Sequence, residues 1–202
     1  MKVLTNAEVL KHFGERDSVF DTPKYAQGDE DGLFYTHPEA QCFAIKYPPQ
    51  LERLPFFARH IATMGYKPWD FRGALVWVTN FGMWDNAVEG IGYRIVEQMN
   101  RAAGQAADFE ASQGREFRAD ELNEVVGMLL QPMIFAWDAF YLPQWSYGTG
   151  EFFVHISRNS HVEVVTKTKA FHDKIMSELK TMDYTVSPVS EGWTELLCRQ
   201  AV

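Results

Sequence analysis

The stretch that most constrains the fold of this 202-residue chain is Glu151 to Thr166, where two β-rich segments are separated by three residues. Glu151 to Ser157 and His161 to Thr166 both alternate apolar and polar residues, as strands do when their two faces meet different surroundings. So short a connection makes the strands antiparallel neighbours, because a parallel crossover needs a dozen or more residues. Register is then decided by the alternation, since a slip of one residue sends every side chain to the other face. A two-residue turn at Asn159-Ser160 would pair Ile156 with Glu163 and mix the faces. A three-residue loop, Arg158-Asn159-Ser160, pairs Ser157 with His161 and places Phe152, Val154, Ile156, Val162 and Val164 on one apolar face. His155, Ser157, His161 and Glu163 share the other. Asn159 or Ser160 takes the left-handed position, which Asn tolerates well.

In this register His155 is directly opposite Glu163, and His161 is two positions from each along the polar face. Two imidazoles and a carboxylate within cross-strand reach are donor types that can hold a divalent metal, so His155, His161 and Glu163 form the candidate metal set. The candidate catalytic pair is His155 and Glu163, the carboxylate orienting the imidazole as a general base. Against both stands a simpler expectation. An antiparallel sheet commonly turns one polar face to water, so the leading reading is a solvated surface with no cofactor, a divalent metal being the alternative.

The remaining chain supplies helices and strands to pack on this hairpin. Thr5-x-x-Glu8 is a capping box that opens a helix to about Phe13. Cys42 to Tyr47 reads as a strand stopped by Pro48-Pro49. Pro55 at a first helical position and Gly65 just past a last one bound a helix from Pro55 to Met64. Ala74 to Thr79 is continuously apolar, the mark of a strand covered on both faces. A helix from about Asp85 to Ala103 carries the stripe Val88, Ile91, Ile95 and Met99, and another runs from about Ala119 to Leu130 with Asp120 and Glu121 in its first turn. Met133 to Leu142 reads as a strand leading into the hairpin. A last helix spans about Thr168 to Met182, and Trp193 to Arg199 reads as a final strand. The expected fold class is α+β: a mainly antiparallel sheet of about five to six strands with helices packed on it, the C-terminal β-meander being followed by a helix. No repeat or linker interrupts residues 1–202, which read as one domain.

Aromatic residues make up 14 % of the sequence and crowd the stretch from Trp137 to Phe153. Trp145 and Tyr147 fall in Pro143-Gln-Trp-Ser-Tyr-Gly-Thr-Gly150, a loop by its Pro and Gly content. Trp84 lies in a similar strand-to-helix loop. Trp and Tyr on loops offer rigid contact area with a polar tip, so Trp84, Trp145 and Tyr147 are the candidate ligand-binding residues.

Several classes are disfavoured. The net charge is −8, and Lys and Arg are nowhere concentrated as phosphate backbones require, so nucleic acid is not the expected partner. Neither a signal peptide nor a membrane span is legible, and the expected location is the cytoplasm. Cys42 and Cys198 form no CxxC pair and read as buried, reduced thiols. Gly90-Ile91-Gly92 lacks the third glycine of a dinucleotide loop, since position 95 is Ile95. Asp138, within an apolar run, reads as a buried carboxylate that needs a partner. The leading functional expectation is therefore a non-enzymatic binding protein that holds a protein partner or small apolar ligand through its aromatic loops. The alternative is a metal-dependent or acid/base enzyme built on His155, His161 and Glu163.

Overall fold

Alternating side chains need a sheet to sort them, and apolar stripes need a surface to cover. The computed structural model, which describes residues 1–5, 7–9, 40–80, 91–102, 113–144 and 151–189, supplies both in one eight-stranded sheet. The strands are β1 (Lys2–Leu4), β2 (Gln41–Lys46), β3 (Ala74–Asn80), β4 (Gly114–Phe117), β5 (Asp138–Pro143), β6 (Phe152–Ser157), β7 (His161–Thr166) and β8 (Val186–Pro188). Their order across the sheet is β1-β4-β3-β5-β6-β7-β2-β8, and every neighbouring pair is antiparallel. Four helices accompany it among the described residues: α1 (Leu54–Thr63), α2 (Ile91–Ala102), α3 (Leu122–Phe135) and α4 (Lys169–Leu179). The α+β class, the antiparallel sheet and the meander β5-β6-β7 followed by α4 agree with the sequence. The sheet is larger than the expected five to six strands, because β1, β4 and β8 have only three or four residues each, too few for alternation to show.

Local rules account for the clearest elements. Pro55 falls in the first turn of α1, and Gly65 follows its end at a φ of 73°, a left-handed position that suits glycine. The Thr5 hydroxyl accepts from the Glu8 amide at 3.1 Å while the Glu8 carboxylate accepts from the Thr5 amide at 2.7 Å, completing the capping box. Thr168 caps α4, its hydroxyl accepting from the Phe171 amide at 3.2 Å.

Both boundaries of α3 differ from expectation. The helix expected to end near Leu130 runs on through Pro132 to Phe135, so Met133 to Phe135 are helical and the strand begins at Asp138. Pro132 removes one helical hydrogen bond, yet Val125, Met128, Leu129, Pro132 and Met133 are all buried along α3. Burial of that row outweighs the lost bond. The helix also begins later than the expected Ala119, at Leu122, so Glu121 is the N-cap residue and the acidic residue of the first turn is Glu124. Of the stripe expected from Val88 to Met99, Val88 lies outside the described residues and Ile95 is half exposed.

Residues of α1 (Phe57, Ala58, Ile61), α3 and α4 (Phe171, Ile175, Leu179) form the main core with one sheet face, to which the hairpin contributes Phe152, Val154, Ile156, Val162 and Val164. Those five are the apolar face read from the sequence. The opposite face is buried too, at Leu75, Trp77, Phe140, Phe153 and Val165. Cys42 is reduced but only half-buried, and Cys198 lies outside the described residues, as does the strand expected at Trp193 to Arg199.

Candidate functional site

The hairpin adopts the three-residue loop. β6 and β7 pair with Ser157 opposite His161 and His155 opposite Glu163, and Ser160 takes the left-handed conformation with a φ of 63°. The structure therefore brings together the three side chains expected on one face. Their surroundings differ from the leading expectation of a solvated surface: His155 is 4 % exposed, Ser157 2 % and Glu163 2 %. Only His161, with about a quarter of its side chain exposed, reaches the surface. The polar face lies inside the protein because the sheet is buried on both sides.

Within this face Glu163 is the hub. One carboxylate oxygen lies 2.7 Å from His155 Nδ1 and the other 2.9 Å from His161 Nε2. Burial alone would raise the pKa of this carboxyl. The hydrogen bonds and charges of His155 and His161 outweigh it and hold the group at about 2, so it is ionised. An ionised carboxylate only accepts, which makes both facing imidazole nitrogens donors. His161 Nδ1 lies 3.2 Å from the Asn159 carbonyl, another pure acceptor, so both ring nitrogens of His161 face acceptors, an arrangement that favours the doubly protonated ring. Its pKa is raised accordingly, first by the hydrogen bond to Glu163, against the opposing effect of burial.

Deeper in the sheet, His155 stacks on Phe140 with ring centroids 4.9 Å apart, and its Nε2 faces Asp138 at 3.8 Å. Asp138 is the partly buried carboxylate that the sequence marked as needing a partner. It accepts from the Arg158 amide at 3.0 Å and has the Arg158 guanidinium at 3.6 Å. His161, Glu163, His155 and Asp138 thus form a line in which imidazole rings and carboxyl groups alternate. Tyr47 closes the hairpin end by donating to the Ser157 carbonyl at 3.0 Å. Its hydroxyl is pushed well above the ordinary tyrosine pKa, by burial first and by the charges of Asp138 and Glu163 next.

At the outer end lies a cleft of about 270 Å³ lined by Ala44, Lys46, His161, Glu163, Ser187, Pro188 and Val189. Its floor follows from register: Ala44 pairs with Glu163 on one side and with Ser187 on the other, and Lys46 pairs with His161. Alternation puts Lys46 and Ala44 on the same face as the histidines. Sequence reasoning passed over Lys46 and Ser187 because only the long-range pairing of β2 with β7 and β8 brings them here.

His155 and His161 each spend a ring nitrogen on Glu163, and among the described residues no group of three His, Cys, Asp or Glu side chains is arranged to hold a metal ion. The candidate catalytic pair, His155 with Glu163, is in hydrogen-bond contact; Glu163 lines the cleft, while His155 is buried and is not among its lining residues. Trp84, Trp145 and Tyr147 lie outside the described residues. No helix among the described residues is long and apolar enough to cross a membrane. No family model matches the chain, and comparison with curated proteins and with solved structures gives no match.

Proposed function

We propose that this protein binds a small ligand in the cleft between β2, β7 and β8 and does not transform it. The carrying observation is the state of His161, the one imidazole that lines the cleft. Both its ring nitrogens are committed inside the protein, to Glu163 at 2.9 Å and to Asn159 at 3.2 Å. A general base needs a nitrogen lone pair within reach of the substrate, and His161 presents none. A fixed ring beside an apolar wall of Ala44, Pro188 and Val189 favours recognition instead. The volume lies just below the roughly 300–1,000 Å³ of drug-sized pockets, which suits a compact ligand of mainly apolar body. Trp84, Trp145 and Tyr147 belong to the same proposal as the aromatic contacts expected on loops, for a protein partner or for the ligand itself.

A second reading, acid/base catalysis, is favoured by one observation: His155 and Glu163 form a buried contact of 2.7 Å, the geometry of an oriented base.

Screening small soluble compounds by amide chemical-shift changes separates these readings. Binding predicts shifts at Ala44, Ser187 and Val189 that vanish in Ser187→Trp, which fills the cleft from an exposed position, with no compound consumed. Shifts confined to the Trp145 loop and abolished by Trp145→Ala would move the site there. Turnover of a bound compound, lost in His155→Ala, would favour catalysis and defeat the binding reading.

A further inference from the structure

Resting on that binding reading, we propose that the ligand is a small organic anion whose carboxylate pairs with the Lys46 ammonium beside His161. The argument is one of uncompensated charge. Among the described residues three charged groups line the cleft: Lys46, His161 and Glu163. Glu163 is the negative one, but it is 2 % exposed and each of its oxygens accepts from an imidazole, at 2.7 and 2.9 Å. Its charge is directed into the sheet. His161 is cationic by its two hydrogen-bond acceptors, and its charge is matched by Glu163.

Lys46 is left over. Its side chain is exposed at the cleft, opposite His161, and it makes no ion pair with a carboxylate of the described residues. The wall is therefore net cationic on a chain whose formal charge is −8. A carboxylate entering here meets one unpaired ammonium with an imidazolium behind it. A ligand cation would have to displace two imidazoles from Glu163 to reach a counter-charge. Ser187, exposed on β8, adds a hydroxyl that can donate to the second carboxylate oxygen. Ala44, Pro188 and Val189 leave room for a short apolar body rather than a second charged end.

Three probes that share a four-carbon body test this on the full chain: butyrate, butylammonium and 1-butanol, each titrated while amide shifts at Ala44, Ser187 and Val189 are followed. Butyrate is expected to bind at least about tenfold more tightly than the other two, the scale of one charge-assisted hydrogen bond. Lys46→Gln should remove that advantage and Lys46→Arg restore most of it. Butyrate affinity should also fall with added salt while that of butanol does not. Tighter binding of butylammonium, or equal binding of butyrate and butanol, overturns the anion assignment and leaves a small-ligand cleft standing. Failure of all three to bind, with the wild-type spectrum folded, overturns the cleft reading and this assignment together. Unchanged butyrate affinity in Lys46→Gln removes Lys46 from the site and refutes the proposal as stated.

Discussion

Replacing Glu163 with Gln removes one charge and nothing of the side chain's shape, so it isolates what the buried carboxylate does. In the native protein both oxygens accept from imidazoles, at 2.7 and 2.9 Å. An amide has one oxygen to accept and one NH2 that donates, so in Glu163→Gln one histidine meets a donor where it had an acceptor. The imidazolium of His161 also loses its counter-ion. The size of the effect follows from the carboxyl's shift: a pKa brought from 4.5 to about 2 corresponds to about 3 kcal/mol of native-state stabilisation near neutral pH. Removing one partner of a buried charged pair typically costs ~3–5 kcal/mol, the same range. Against a total stability of about 5–15 kcal/mol, that loss is large.

Urea unfolding at a series of pH values measures it. Because the folded pKa of Glu163 is depressed, its contribution is full above about pH 5 and is lost as pH falls toward 2, so the gap between wild type and Glu163→Gln should close in acid. His161 carries the opposite sign. Its folded pKa is raised, so its contribution is full below about pH 6.5 and is lost as pH rises through the folded value. A histidine NMR titration should show that value falling back toward about 6.5 in the variant. A gap under about 0.5 kcal/mol at pH 7, within the scatter of ordinary surface substitutions, would refute the hub assignment. So would a gap that does not shrink with acid.

Two backbone positions give further predictions. Gly65→Ala should destabilise by about 2–4 kcal/mol, because φ is +73° and the new Cβ would stand 2.6 Å from Phe171 Cζ. Phe171 is stacked on Phe152 at 5.6 Å and cannot swing away cheaply; thermal melts showing a loss below about 1 kcal/mol would contradict the close packing. Ala136→Gly should instead stabilise by ~0.5–1 kcal/mol. Ala136 ends α3 in the left-handed conformation at φ 54° on the surface, a strain that glycine lifts, less its greater unfolded-state entropy. A lowered melting temperature in Ala136→Gly would show that the left-handed backbone carries no cost there.

The legible parts of this chain are those where a local rule and the global fold agree. Loop length and alternation together determined the register of residues 152–166, down to His155 opposite Glu163, since a slip of one residue mixes the two faces and the short loop sets the rest. Pro55 and Gly65 bounded α1 for equally local reasons. What sequence could not show is non-local. β4 is Gly-Arg-Glu-Phe, which no alternation marks as a strand, and it exists because β1 and β3 flank it. α3 overrides its own proline because the row from Val125 to Met133 is buried. The cleft depends on β2 pairing with both β7 and β8, across separations of more than a hundred residues.

The same limit explains why the polar face was expected to meet water. Alternation says that two faces differ; it does not say that the polar one is wet. Along β7 the residues of that face are His161, Glu163 and Val165, and the last is as buried as any core residue. Val165 shows that an apolar side chain fits this layer. Buried ion pairs are often no more stabilising than apolar residues of similar size, so stability alone gives no reason for a carboxylate at 163 or an imidazole at 155. What those two groups do achieve is the fixing of His161. Glu163 holds its ring in one orientation at the cleft, His155 donates to Glu163 from behind, and Asp138 stands 3.8 Å beyond His155. Replacing the whole network by apolar residues of similar size therefore need not cost stability, whereas removing one member alone leaves its partners unmatched.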